Sequence, residues 1–450
     1  MNVAFNQRQK GKAGSEYCAK TFLRMTFPAI FYFKQQQKDR DDRKQNTEGI
    51  PVRFRKDMAK KLDNKRFVYA DNSATTKVHP EVKQAMMPFF EELYGNPSSL
   101  HQKGREANAQ LDIARQTVAT VLGCTPNEIY FTSGGTESDN WAIKGAVAAY
   151  FAKNKTNTTH IITTKIEHPA VMNTFEALEK QGISVTYLDV DQYGLVNPDD
   201  VIAALRPETC LVSIMYANNE VGTIEPIKEI AEKLKDKKVL FFTDAVQAVG
   251  NLPIDVKELG VDMLSLSGHK IHAPKGIGAL YIKKGVNIKN IIDGGGQERN
   301  HRSGTENLSF IVGLAKALEL AKENLSQTKR RTALRDRLIN GVLKIPESSL
   351  TGHPTQRLPG HTSFIFKYIE GESLLLLLDM AGICGSTGSA CSSKSLDPSH
   401  VLLAIGLPHE IAHGSLRLSL SDETTEEDVD YIIENVTRVV ERLRKMSPLC

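Results

Sequence analysis

The stretch Leu264-Ser-Leu-Ser-Gly-His-Lys-Ile-His-Ala-Pro-Lys-Gly-Ile-Gly-Ala-Leu280 anchors the reading of this chain. Its first residues alternate apolar and small polar side chains, the period of a strand. Gly268 then turns the chain and presents His269 and Lys270 side by side. After Pro274-Lys275-Gly276 a second strand-like run follows, Ala279-Leu280-Tyr281-Ile282. A lysine on a short turn between two buried strands is either an ordinary surface residue or one that is chemically used, because interior lysines are rare unless paired. The rest of the chain distinguishes the two.

Outward from this turn, strand-like runs recur at Glu128–Thr132, His160–Thr164, Val185–Asp189, Leu211–Tyr216, Val239–Thr243, Met263–Leu266 and Ala279–Ile282. Helical patterns lie between or beside them at 80–92, 99–122, 136–151, 169–181, 198–205 and 226–236. Strands alternating with helices predict an α/β fold whose mainly parallel, seven-stranded sheet is covered on both faces. Residues 308–343 read as one long helical stretch. Beyond it come a strand at Ser363–Phe366, a helix at 371–381, a Gly/Ser loop at 385–395, a helix at 398–405, a strand at Leu416–Leu420 and a helix at 425–445, a smaller C-terminal α/β domain.

The 450 residues are enough for two domains. The net charge of +4 hides a division: residues 1–66 carry 17 basic and 7 acidic side chains, a balance of +10, so the remainder stands at −6. A mildly acidic body offers no electrostatic footprint for nucleic acid. The first 66 residues lack sustained periodicity and read as a basic, disordered extension. Their first 38 residues hold seven bases and one acid, a faint transit-peptide composition. Sequence upstream of a start at Met58 is a third reading. No segment is apolar enough to predict a membrane span. Six cysteines without regular spacing indicate a reducing compartment, with a cytoplasmic location as the default and a mitochondrial or related organelle as the alternative.

Polar residues gather where strands end. Ser133-Gly-Gly-Thr-Glu-Ser138 follows a strand and opens a helix, where small residues and free amides can hold a phosphate; alone it is also an ordinary helix cap. Glu167-His168, Asn218-Asn219-Glu220 and Thr243-Asp244-Ala245-Val246-Gln247 end three further strands. An Asp at the end of a buried strand needs a partner, and capping the next helix is the simplest one. Asp244 beside Lys270 points further, to pyridoxal 5'-phosphate, which needs a lysine for covalent attachment and commonly an acid at its pyridine nitrogen. His168 would stack on the pyridine, and Thr136, Ser267 and His269 would complete the phosphate site.

In order along the chain stand Asp71-Asn-Ser-Ala-Thr-Thr76, Tyr94-Gly-Asn-Pro-Ser-Ser99, Thr132-Ser-Gly-Gly-Thr-Glu-Ser-Asp-Asn140, Glu167-His168, Asn218-Asn-Glu-Val-Gly222, Asp244-Ala-Val-Gln247, Ser267-Gly-His-Lys270, Gly294-Gly-Gly-Gln-Glu298, Arg302-Ser-Gly-Thr305 and Ser386-Thr-Gly-Ser-Ala-Cys-Ser-Ser393. From about Phe67 to the last helix the chain resembles the cysteine desulfurases of the NifS/IscS type, in the class-V aminotransferase family, with the long form of the cysteine loop. The resemblance implies a fold-type I pyridoxal-phosphate transferase. It also implies that 81–324 form the large cofactor-binding domain and that 67–80 with 325–450 form a small domain carrying a catalytic Cys391.

Under the resemblance Lys270 tethers the cofactor and Asp244 faces its pyridine nitrogen. Gln247 and Asn219 lie near the ring oxygen and the substrate, His168 stacks above, and Gly135, Thr136, Ser267 and His269 hold the phosphate. Thr305 reaches the phosphate of the other subunit of a homodimer, and Arg417 binds the carboxylate of L-cysteine. Cys391, among glycines and serines suited to an exposed loop, is the sulfur-accepting nucleophile. The implied partner is an iron-sulfur scaffold protein of the IscU/NifU kind. No metal is implied in the apo-protein, with Cys391 carrying a persulfide or transiently ligating a cluster. Selenocysteine lyase on the same fold, or an inactive sulfur-assembly subunit, stand as alternatives. His409-Glu-Ile-Ala-His413 matches a zinc-hydrolase motif, but Pro408 and Gly414 leave scarcely one helical turn for it.

Overall fold

A computed structural model describes residues 66–387 and 398–447. From Phe67 onward the chain forms one compact unit. Its strands are β1 (Val68–Tyr69), β2 (Ile129–Thr132), β3 (His160–Thr164), β4 (Ser184–Leu188), β5 (Thr209–Ser213), β6 (Leu240–Asp244), β7 (Met263–Ser267), β8 (Gly278–Ile282), β9 (Ser348–Leu350), β10 (His361–Phe366), β11 (Ile383–Cys384) and β12 (Ser415–Ser419). Seven make the central sheet in the order β2-β8-β7-β6-β5-β3-β4. Only β8 runs against its neighbours; the pairings among β7, β6, β5, β3 and β4 are parallel.

Alternation along the strands builds two cores from one sheet. Ile162, Val212, Phe241 and Leu264 point to one face, where they meet α1 (Pro80–Met86), α2 (Gln102–Leu122) and a later helix. Ile161, Leu211, Phe242 and Met263, each next in sequence to one of those, point to the other face, against α3 (Gly135–Asn154) and α4 (Pro169–Glu179). A sheet buried on both sides needs such near-continuous apolar strands. A further core lies under the antiparallel sheet β12-β10-β9, where Phe364, Phe366, Leu416 and Leu418 pack on later helices.

The stretch 308–343 is not continuous. Helix α5 (Leu308–Glu323) gives way to a tight turn at Asn324–Gln327 before α6 (Thr328–Val342) starts. Asn and Ser, found here at 324 and 326, are residue types disfavoured in a helix interior because their side chains can compete for backbone hydrogen bonds. The pattern at 80–92 is likewise split, because Pro88 has no N–H to continue α1 and instead begins a new turn, Pro88–Glu91. After α7 (Gly371–Met380), the last helix, α8 (Glu426–Met446), opens with a Thr425/Asp428 capping box and buries the stripe Val429, Ile432, Val436, Val439 and Val440. Among the described residues no helix is long and apolar enough to cross a membrane.

Candidate active site

Strands β2, β3, β5, β6 and β7 share one direction, so their carboxyl ends open on one edge, where doubly wound sheets receive ligands. Asp244 closes β6, and Ser267 closes β7. The chain then makes a single helical turn over Gly268–Lys270. The segment after β1 laces over this turn: Thr76 N–H donates to the His269 carbonyl at 2.9 Å, and Thr76 Oγ1 accepts from His272 N–H at 2.9 Å. Lys270 Nζ donates to the carbonyls of Ser73 and Ala74, the latter at 2.9 Å. The lysine therefore points under that segment rather than into solvent, which removes the ordinary surface reading of the turn.

Asp244 is almost wholly buried, and the amide of Val246 donates to its Oδ1 at 2.9 Å. Burial raises its pKa, while His168 and Lys270 pull it back. His168 caps α4, its Nδ1 accepting from Ala170 N–H at 3.1 Å, which leaves the proton of the neutral ring on Nε2. Burial lowers the pKa of this ring against the pull of Asp244. One polar atom each from Asp139, His168 and Asp244 lie within 4.8 Å of one another. Asp139 is fully buried and accepts from Ser265 Oγ at 2.5 Å. Burial, with the Asp244 charge adding to it, pushes its pKa well up.

Asp139 was not singled out from sequence. The signal was a charged residue on the buried face of α3, between Ser138 and the core position Ala142. Glu167, next to His168 in sequence, is tied to the strands below: its Oε1 accepts from Thr164 Oγ1 at 2.7 Å and from Met215 N–H at 3.0 Å, and burial drives its pKa up to about 8.

The glycine pair at the head of α3 lies against β7 and β8. A Cβ on Gly135 would come 2.8 Å from Val246 Cγ2 and 3.5 Å from Ser267 Cβ, and one on Gly278 would meet the Gly134 backbone at 2.7 Å. Thr136 is exposed just above, and Ser267 is buried. His269 Nδ1 lies 3.1 Å from Thr75 Oγ1, and burial with the Lys270 charge lowers its pKa to about 4. Thr305 is exposed. Gln247 donates to the Ser73 carbonyl at 3.0 Å, so its amide braces the segment above Lys270.

Arg417, in β12, is buried. It donates to the Asn219 carbonyl at 2.9 Å and to Asp71 Oδ1 at 3.1 Å, and its Nε has no hydrogen-bond partner among the described residues. Asp71 is a second partner that sequence reading left without a role. Its pKa is raised by burial against the opposing pull of Arg417. Cys391 lies outside the described residues. The helix at His409–Ala412 is one turn, and β12 begins at Ser415, so the zinc-hydrolase spacing has no continuing helix to sit on.

These donors suit pyridoxal phosphate: a lysine amine among carbonyls, a buried acid beside a neutral imidazole, a glycine cradle at a helix head, and a guanidinium with an unused N–H.

The profile of the family "Aminotransferase class-V" matches residues 68–432. A cysteine desulfurase IscS of Methanosarcina thermophila is 58% identical over 383 residues, covering 85% of this chain and 94% of its own. Among solved structures, a NifS-like protein superposes with a TM-score of 0.78 at 43% identity, over 84% of this chain and all of its own. A protein solved as "SspA in complex with cysteine" gives a TM-score of 0.69 at 37% identity, over 78% of this chain and 98% of its own.

Proposed function

The chain belongs to the class-V aminotransferase family and is a cysteine desulfurase within it, and from that premise we propose how its own residues do the work. L-Cysteine is the substrate, pyridoxal 5'-phosphate the cofactor, and Cys391 the sulfur acceptor. The observation that carries this reading is the meeting of Lys270, Asp244 and His168 at the carboxyl edge of the sheet, within reach of one another's charge. A transaminase needs the same three groups; Cys391 is what assigns the reaction.

Bound there, the cofactor supplies covalent attachment to an amine and an electron sink for a carbanion. Lys270 would tether it, and its amine would serve as the base for the Cα proton. Asp244 holds the proton on the pyridine nitrogen; a cation at that nitrogen offsets the burial that raises its carboxyl in the free protein. His168, with its proton on Nε2, would lie against the ring and would relay a proton toward the product. Gly135, Thr136, Ser267 and His269 hold the phosphate, joined by Thr305 from a second copy in a homodimer. The Nε of Arg417 takes one oxygen of the substrate carboxylate, with Asn219 and Gln247 bordering the same space. Cys391 attacks the substrate sulfur as thiolate: a new S–S bond forms, the C–S bond breaks, and the carbon fragment leaves as L-alanine after protonation.

The persulfide then passes to an acceptor, for which an iron-sulfur scaffold protein is our choice given the names of the relatives. We assign residues 81–324 to the cofactor lobe, 67–80 with 325–450 to the lobe that bears Cys391, and the enzyme to the cytoplasm. The test is an absorbance spectrum with and without L-cysteine, read alongside sulfide and alanine release. Wild type should show a visible band that L-cysteine shifts, with alanine formed. Lys270→Ala should lose the lysine-linked band, and a band retained in that variant would remove Lys270 as the tether. Turnover of selenocysteine with none of cysteine would transfer the assignment to a lyase.

A further inference from the structure

Glu137 follows Thr136 directly and sits in the first turn of α3. Its carboxylate closes the Ser133–Thr136 turn, with Oε2 accepting from Ser133 N–H at 2.8 Å. Arg302 grips the same carboxylate with two bonds, Nε to Oε1 at 2.7 Å and Nη2 to Oε2 at 3.0 Å. Both side chains are largely covered, at 11% and 22% exposure. Burial works to raise the Glu137 pKa, but Arg302 and Ser133 hold it below the ordinary range, so the acid stays ionised.

Arg302 belongs to the segment Gly294–Thr305, and that segment is held in a costly shape. Glu298, Arg299 and Asn300 all lie at positive φ, at 44°, 58° and 66°, where residues with a Cβ rarely sit, and never for long runs. The fold over-determines them. Glu298 is buried and bound bidentate by Arg115 at 2.7 Å on both oxygens, and it also accepts from Phe131 N–H at 2.9 Å. Arg299 lies over the Tyr130 ring at 4.3 Å and donates to the Ile129 carbonyl at 2.6 Å. The segment is thus clamped to β2, the strand that runs into Ser133–Thr136, and Arg302 clamps it again at the head of α3.

An ionised acid in that first turn creates a problem for the site. A helix head favours an anion through its free amides and its dipole, and a fixed carboxylate in the same turn works against a second anion. We propose that Arg302 is a positioning residue for the cofactor phosphate, cancelling the Glu137 charge while locking the Ser133–Thr136 turn to the segment that bears Thr305. This rests on the pyridoxal-phosphate reading above.

The test titrates apoprotein with pyridoxal 5'-phosphate, and separately with pyridoxal, which lacks the phosphate, following the lysine-linked absorbance. Arg302→Gln should weaken binding of the phosphorylated form about tenfold or more, because it leaves a partly buried carboxylate uncompensated. Binding of pyridoxal should stay within about twofold of wild type, since the phosphate turn plays no part in it. Adding Glu137→Gln to Arg302→Gln should recover most of the loss, the coupling expected of residues in one ion-pair network. Arg302→Gln that binds the phosphorylated cofactor as wild type does, or a double variant no better than the single one, would overturn the proposal. If Arg302→Gln apoprotein does not fold, Glu137→Gln decides alone: it should bind at least as tightly as wild type, and a tenfold loss would overturn the charge argument. A wild type that forms no lysine-linked band with either compound overturns the cofactor reading itself, whatever Arg302 does.

Discussion

At the scale of single residues, the site runs on buried charges that are only partly matched. Arg417 shares its guanidinium between a backbone carbonyl and Asp71, and its Nε has no hydrogen-bond partner among the described residues. Arg417→Lys should raise KM for L-cysteine by about 10- to 100-fold with a smaller effect on kcat, because a point charge cannot reproduce the planar fork. Steady-state kinetics checks this, and an equal fall in kcat with unchanged KM would contradict it. Asp244→Asn leaves the shape but removes the charge that, in the proposed role, would hold a proton on the pyridine nitrogen. It should lower kcat by about a hundredfold or more while the cofactor remains attached, as absorbance would record. Lys270, Asp244 and His168 are legible in sequence because Asp244 ends a recognisable strand and the other two follow one within four residues. Asp139 and Asp71 are not: their significance lies in contacts across the fold, with Ser265 and Arg417, which no local spacing reveals.

At the scale of elements, the head of α3 depends on backbone approaching backbone. A methyl on Gly278 would press on the Leu266 carbonyl at 2.6 Å and on Gly134 at 2.7 Å. Gly278→Ala should therefore destabilise the protein by about 1–3 kcal/mol in urea unfolding, the usual cost of overpacking, and should weaken cofactor binding through the displaced turn. Unchanged stability would mean that β8 and the turn yield freely. The alternation that builds both cores was readable from sequence, as were the ends of most strands to within a residue or two. The breaks at Met87–Pro88 and at Asn324 were overlooked because apolar periodicity continues across them. The cap of α2 carries no sequence signature: serines stand near its start, yet His101 Nδ1 is the acceptor, for Gly104 N–H at 3.3 Å. Imidazole capping leaves no mark in the pattern of small polar residues by which caps are recognised.

For the whole molecule, the buried titratable groups set opposing pH limits. Glu167 and Glu220 are pushed up to about 8 and about 7, mainly by burial. Between their unfolded values and these, the folded state binds more protons, so stability falls as pH rises. His160, His269 and His361 are lowered to about 4, about 4 and about 3, again chiefly by burial. Between these values and the unfolded value near 6.5 the unfolded state binds more protons, so stability falls as pH drops. The apoprotein should accordingly be most stable at about pH 6, with Glu167→Gln flattening the alkaline side of the profile. Thermal melting across pH measures this, and a maximum above pH 8 would contradict it. The seven-stranded sheet and the proposed cofactor site are read from patterns spread along the chain, whereas the proposed reaction rests on one cysteine. The most direct measurement is therefore mass spectrometry of the protein after L-cysteine is added, with alanine counted in the same sample. One sulfur atom gained on the peptide bearing Cys391, matched by one alanine and absent in Cys391→Ser, is the predicted result. Sulfide and alanine released by Cys391→Ser at the wild-type rate would contradict it.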